Sequence, residues 1–174
     1  MSIFRDQLYY DNASNTIVAN ANLTCTGVCI APNNSISSTT SGTQSIPSGT
    51  PTSIAFVTDT RTNWPIRTDN TRFVAPVAGK YLVSVQAGYL TPPGTAGTNK
   101  LLVFLNTTLI GDQAFPYTTG IGIFNWTGIV SMNGTTDYIT VSLLQSSGAA
   151  VLTGGGNPDG GNFNKITIDR LHSN

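Results

Sequence analysis

Only 9% of the 174 residues are charged, against about 25% in an average globular protein, and eight basic side chains balance eight acidic ones. Nucleic-acid binding draws its affinity from neutralised phosphates, so a chain of zero formal net charge with no run of Lys or Arg is not expected to bind it. No apolar run approaches the ~20 residues that a membrane helix needs, so no membrane partner is expected either.

The length suits one domain with a core of its own. Every acidic residue is Asp, and Thr, Ser, Asn and Gly stand where helix-surface Glu and Lys would be, which favours strands and turns. Arg5, Asp6 and Gln7 fall where a secretion signal would carry an apolar stretch, so synthesis and assembly in a host cytoplasm are expected.

Residues 1–43 read as a polar N-terminal arm or strand extension. Ile17 and Val18, and the stretch from Leu23 to Ile30, are its candidate strands, and the Ser35 to Thr43 tract reads as a linker. Cys25 and Cys29 lie about 13 Å apart if extended, too far for a disulfide; a turn at Gly27 would close the gap. Reduced thiols and a small Cys25–Cys29 disulfide loop are both open readings, and no metal site is expected with His172 as the only histidine.

Residues 44–174 read as the domain. Ser53 to Thr58 is a short apolar run, and Arg72 to Gly79 leads into a strand from Lys80 to Leu90. There Tyr81, Val83, Val85, Ala87 and Tyr89 share one face, opposite Ser84, Gln86 and Gly88. After the break at Thr91 to Gly97, Leu101 to Leu105 is continuously apolar, as in a strand covered on both faces. Ile121 to Ser131 alternates, with Ile121, Ile123 and Ile129 on one side and Phe124, Trp126 and Val130 on the other. Asn133-Gly134 predicts a hairpin into Tyr138 to Leu144. Ala149 to Leu152, a glycine-rich loop over Gly154 to Gly161 and a strand over Phe163 to Leu171 complete the chain. With no helical stripe and no βαβ alternation, the fold class is all-β, a sandwich or jelly roll.

Phe73, Pro76, Gly79 and Tyr81 match the pattern F-x-x-P-x-x-G-x-Y that recurs ahead of a strand in the C1q-like domain, and the chain resembles that family from about Gln44 to Leu171. Thr52 to Phe56, Leu101 to Asn106, Asn133 to Val141 and Phe163 to Ile168 resemble further strands of the family in their expected order. The resemblance implies a ten-stranded jelly-roll sandwich of C1q and tumour-necrosis-factor type that forms tight homotrimers, with one sheet of each subunit packed around the three-fold axis. By that analogy Tyr81, Tyr89, Phe163, Ile166 and Ile168 are candidates for the trimer interface; the alternative is that they fill the core of the single chain.

No enzyme is expected: with one histidine neither a Ser-His-Asp nor a Cys-His arrangement can be assembled. Gly154 to Gly161 lacks the Gly-Lys-Ser/Thr of a phosphate loop, and Asp59, Asp69, Asp112 and Asp159 are too scattered to assign a calcium site, so no cofactor is expected. Two binding roles remain as expectations. One is a trimeric decoration or cement protein on the capsid lattice of a virus such as a bacteriophage, located on the virion, with the arm lying across the lattice. The other is a receptor- or glycan-binding head, as in a tail tip or an extracellular C1q-like lectin.

Overall fold

The computed structural model describes residues 8–11, 16–19, 34–62, 64, 69–90, 97–115, 122–154 and 163–171. The chain divides into two compact units, Met1–Ala31 and Pro32–Asn174. In the first, β1 (Leu8–Asp11) and β2 (Thr16–Ala19) form an antiparallel pair with Tyr9 opposite Val18. Ile17 and Val18 thus lie in a strand as expected, whereas the Leu23 to Ile30 stretch, Cys25 and Cys29 lie outside the described residues.

The second unit is a sandwich of two antiparallel sheets. The larger is built on β8 (Ala78–Tyr89), which pairs along its length with β11 (Gly122–Asn133) on one side and with β14 (Lys165–Leu171) on the other. Beyond β14 come β3 (Ser35–Thr39) and then β6 (Thr58–Thr62), while β13 (Val151–Gly154) joins the far end of β8 and carries β4 (Thr43–Ile46). The smaller sheet runs β10 (Thr108–Phe115), β9 (Asn99–Leu105), β12 (Tyr138–Gln145), with β5 (Thr52–Ser53) and β7 (Phe73–Val74) as short partners of β12. Ten strands are expected from the family resemblance; five and seven are found, and β5 and β7 are only two residues long.

The core lies between the sheets. Tyr81, Val83, Val85, Ala87 and Tyr89 of β8 face it, against Leu101 and Val103 of β9 and Ile139, Val141 and Leu143 of β12. This is the predicted alternation of β8 realised as burial. Phe56 meets Phe73 edge-on at 5.7 Å between ring centroids, and Trp64 meets Tyr81 in the same way. Trp126 reaches from edge strand β11 to β10 of the other sheet and packs over Gly111 and Gly128, where a Cβ would collide with its ring. The side of the sandwich between β11 and β10 is thereby closed by one indole.

Two sequence expectations are corrected here. The Ser35 to Thr43 tract is no linker: β3 sits inside the larger sheet between β14 and β6, with Ile36 and Ser38 fully buried. Its Ser/Thr content hid it, because Ile36 is its only apolar side chain. The second unit accordingly begins at Pro32 rather than Gln44. Asn133-Gly134 is also no hairpin, since β11 pairs with β8 and β12 with β9, so the turn carries the chain from one sheet to the other. Gly134 does adopt the positive φ of 76° that the dipeptide suggests. The crossover is held by Asn133, whose Oδ1 accepts from the N–H groups of Thr135, Thr136 and Asp137, each at 3.0 Å, while Asp137 Oδ2 accepts from Asn133 N at 2.8 Å. The tight two-residue hairpin lies instead at Asn106-Thr107, between β9 and β10, with Asn106 at φ 56°.

Candidate functional site

Tyr81, Tyr89, Phe163, Ile166 and Ile168, the five interface candidates, are all buried within the single chain. Side chains already out of water have no further apolar area to give to a neighbour, so of their two readings the structure supports core filling. Their polar atoms are satisfied internally: Tyr81 donates to the Val77 carbonyl at 2.5 Å and Tyr89 to the Leu144 carbonyl at 2.9 Å. Burial pushes the Tyr81 phenol above its usual pKa, with the Val77 hydrogen bond and the nearby Arg170 charge acting the other way. A strand presents alternate residues to opposite faces, so the correction follows from parity: these residues mark the sheet, and their sequence neighbours form its outer surface.

That outer surface of the larger sheet is ordered in cross-strand rows. Thr127, Ser84, Thr167 and Ser37 stand side by side on β11, β8, β14 and β3. Their hydroxyls meet in pairs, Ser84 with Thr127 at 3.2 Å and Ser37 with Thr167 at 3.4 Å. The next row holds Ile129, Leu82 and Asp169. Ile129 is 64% exposed and Ile123, three rows away, 39%; Leu171 at the sheet end is also exposed. On the described strands β8, β11 and β14, the charges on this face are Lys80, Lys165 and Asp169.

The smaller sheet presents a different chemistry. Lys100 and Asp112 pair across β9 and β10 at 3.6 Å. Beside them a pocket of about 300 Å³ is lined by Phe104, Tyr138, Thr140, Ser142 and Arg72. The Arg72 guanidinium lies 5.0 Å from the centre of the Tyr138 ring and its Nε is 3.5 Å from Asp69 Oδ2. Asp69 Oδ1 in turn accepts from the Thr71 N–H and hydroxyl, both at 2.7 Å. The pocket thus offers two aromatic rings, several hydroxyls and the Arg72 guanidinium.

Two buried polar clusters brace these surfaces. Gln145 Nε2 donates to the Ile46 and Ala149 carbonyls at 3.0 and 2.7 Å, and its Oε1 accepts from the Ser147 N–H and hydroxyl. Asn164 Oδ1 accepts from Gly88 N at 3.0 Å and its Nδ2 donates to the Thr153 hydroxyl at 2.9 Å, which itself donates to the Gly88 carbonyl. Among the described residues no three His, Cys, Asp or Glu side chains gather as a metal site, and no helix is long and apolar enough to cross a membrane. His172 and Asp159 lie outside the described residues.

Two such sheets, with β8 central, β11 and β12 divided between them and a shared core, define a jelly roll of the C1q and tumour-necrosis-factor type. No family model and no curated protein matches the chain by sequence. Among solved structures it is similar to the Eiger TNF of S. frugiperda, at 15% identity over 83% of this chain and 96% of that one, with a TM-score of 0.59. It is similar to the PRD1 vertex protein, at 17% identity over 80% and 97% of the two chains, TM-score 0.53. The globular domain of zebrafish complement 1qA matches at 10% identity over 81% and 99%, TM-score 0.52. The likeness is one of fold.

Proposed function

We propose that the chain is a non-enzymatic structural protein that forms a homotrimer through the outer surface of its larger sheet and decorates or cements the capsid lattice of a virus. The observation that carries the reading is the solvent-facing surface of β11, β8 and β14, where Ile123, Ile129 and Leu171 are exposed around a row of hydroxyls. Such a surface covers well against a copy of itself, because small hydroxyl side chains allow close approach and the isoleucines supply apolar area. The zero net charge leaves little electrostatic resistance to self-association. That this fold serves both C1q and TNF domains and a vertex protein supports a role in assembly on a particle.

Light scattering tests the trimer: three times the chain mass of 18.3 kDa is expected, and a stable monomer refutes it. Co-sedimentation with empty capsids tests the lattice. In this reading residues 1–31 form the lattice contact, so their deletion yields a folded trimer that stays in the supernatant; normal co-sedimentation of that variant sinks the arm's role. Deletion through Thr40 is uninformative about binding, since it removes β3 from inside the sheet.

The pocket between Arg72 and Tyr138 favours a second reading, a receptor- or glycan-binding head. A pyranose ring stacks on an aromatic face while its hydroxyls meet the Arg72 guanidinium and the Thr140 and Ser142 hydroxyls. A glycan array on the intact protein distinguishes the two: a reproducible hit abolished by Tyr138→Ala supports the head, and an empty array removes it.

A further inference from the structure

Successive residues of β12 divide between the two faces of the smaller sheet: Ile139, Val141 and Leu143 are buried in the core, and Tyr138, Thr140 and Ser142 line the outer pocket. On one side β12 is paired by two strands of only two residues, β5 at Ser142 and Leu143 and β7 at Tyr138 and Ile139. Thr140, between those pairings, has no strand neighbour there among the described residues. Ser53 and Arg72, which flank the gap, both line the pocket. Phe73 is buried in the core, and its neighbour Arg72 reaches outward with its side chain 55% exposed.

The Arg72 guanidinium is held in place without being used up. The Tyr138 ring supports it in a cation–π contact. Its nearest approach to Asp69 is through Nε, in a pair exposed enough for water to screen, and Asp69 Oδ1 is committed to Thr71. Among the described residues no hydrogen bond takes up either Nη of Arg72, nor the hydroxyl of Tyr138 or Thr140. Arg72 is also the single charged residue of the described lining. A lone guanidinium with both Nη groups open suits a carboxylate, which takes two parallel N–H bonds and brings one negative charge to one positive. A polysulfated chain calls for a run of cations, which the sequence lacks. The open hydroxyls match those of a sugar, and Phe104 supplies an apolar wall for the C–H groups of a pyranose. We propose that this pocket selects a saccharide bearing a carboxylate, a uronic or sialic acid residue, with Arg72 as the group that sets the preference. The proposal rests on the saccharide-binding reading of the pocket and is independent of the trimer.

The test is ligand-observed saturation-transfer NMR on the full chain at pH 7. The probes are methyl β-glucuronide and the methyl glycoside of N-acetylneuraminic acid, each titrated beside its own uncharged methyl ester. At least one acid is expected to bind about tenfold more tightly than its ester, the worth of one charge-assisted hydrogen-bonded contact, and which one does so separates a uronic from a sialic acid. Arg72→Gln should bring that acid and its ester to within about twofold of each other. Equal binding of acid and ester by the native chain, or a preference kept in full by Arg72→Gln, overturns the proposal and leaves the saccharide reading standing. Binding of none of the four overturns both. The comparison of acid with ester is made on the unaltered protein, so a folding defect in the variant does not decide the outcome.

Discussion

Ile129→Asp puts the assembly reading at greatest risk. Ile129 is 64% exposed on the outer surface of β11, opposite Leu82, so the single chain loses little by the change. Full burial of an isoleucine is worth about 1.5–3 kcal/mol, and the exposed share that a neighbour would cover corresponds to about 1–2 kcal/mol per subunit. A carboxylate carried into the same contact adds a desolvation cost of several kcal/mol unless it finds a partner. Taking about 3 kcal/mol per subunit, three equivalent contacts lose ~9 kcal/mol, roughly a million-fold in the association constant. Sedimentation velocity at micromolar concentration should then give a monomer with an unchanged circular dichroism spectrum. Leu109→Asp, at 49% exposure on the smaller sheet, makes the same charge change and should leave the mass alone. If Ile129→Asp remains a trimer, the larger sheet is not the interface, whatever holds the copies together.

Gln145→Leu leaves the Ile46 carbonyl without its donor and the Ser147 N–H without its acceptor, and should cost about 3 kcal/mol; thermal unfolding should show a fall of roughly 6–12 °C. Gly128→Ala drives a methyl to within 2.6 Å of the Trp126 ring, so denaturant unfolding should record a loss of about 1–3 kcal/mol together with a red-shifted Trp emission. Tyr81 has its folded pKa raised by burial, so its contribution to stability is complete below the ordinary tyrosine value near 10 and is lost as pH rises through the folded value. Urea midpoints between pH 8 and 11 should therefore fall more steeply for the native chain than for Tyr81→Phe, and parallel curves would contradict the assignment.

Much of the sandwich was legible because the decisive strands are amphipathic at period two. The alternation of β8 reappears as burial from Lys80 to Ala87, and the Ile123/Phe124 parity of β11 reappears with Phe124 and Val130 buried and Ile123 and Ile129 exposed. What stayed hidden depends on long-range pairing. β3 has only Ile36 to announce it, and its place is fixed by hydrogen bonds to β14 and β6, more than a hundred residues away in one case. The Asn133-Gly134 turn was read correctly at Gly134, not at Asn133, whose φ is not positive, and wrongly in its partner, because a positive φ says how the chain turns and not which sheet the next strand joins. Gln145, Asn164 and Arg170 gave no signal in sequence, since a buried amide or guanidinium is recognisable only when its carbonyl partners, or their absence, are in view.

The five interface candidates carry a wider lesson. Aromatic and β-branched residues in a resemblance motif are the ones that make the fold, and they do so by disappearing into the core. In an assembly through the outer face of a sheet, specificity has to reside on the opposite parity, in residues such as Ser84, Thr127, Thr167 and Ile129 that pattern reading treats as filler. The two outer surfaces of this chain differ accordingly: hydroxyls and isolated isoleucines on the larger sheet, paired charges and a guanidinium over an aromatic ring on the smaller. A surface that must be covered by another copy gains from few charges, because each buried charge needs a partner in register. A surface that stays in water gains from ion pairs that hold their geometry there. If the larger sheet turns inward in the trimer, the Arg72–Tyr138 pocket, on the other layer of the sandwich, stays accessible from outside.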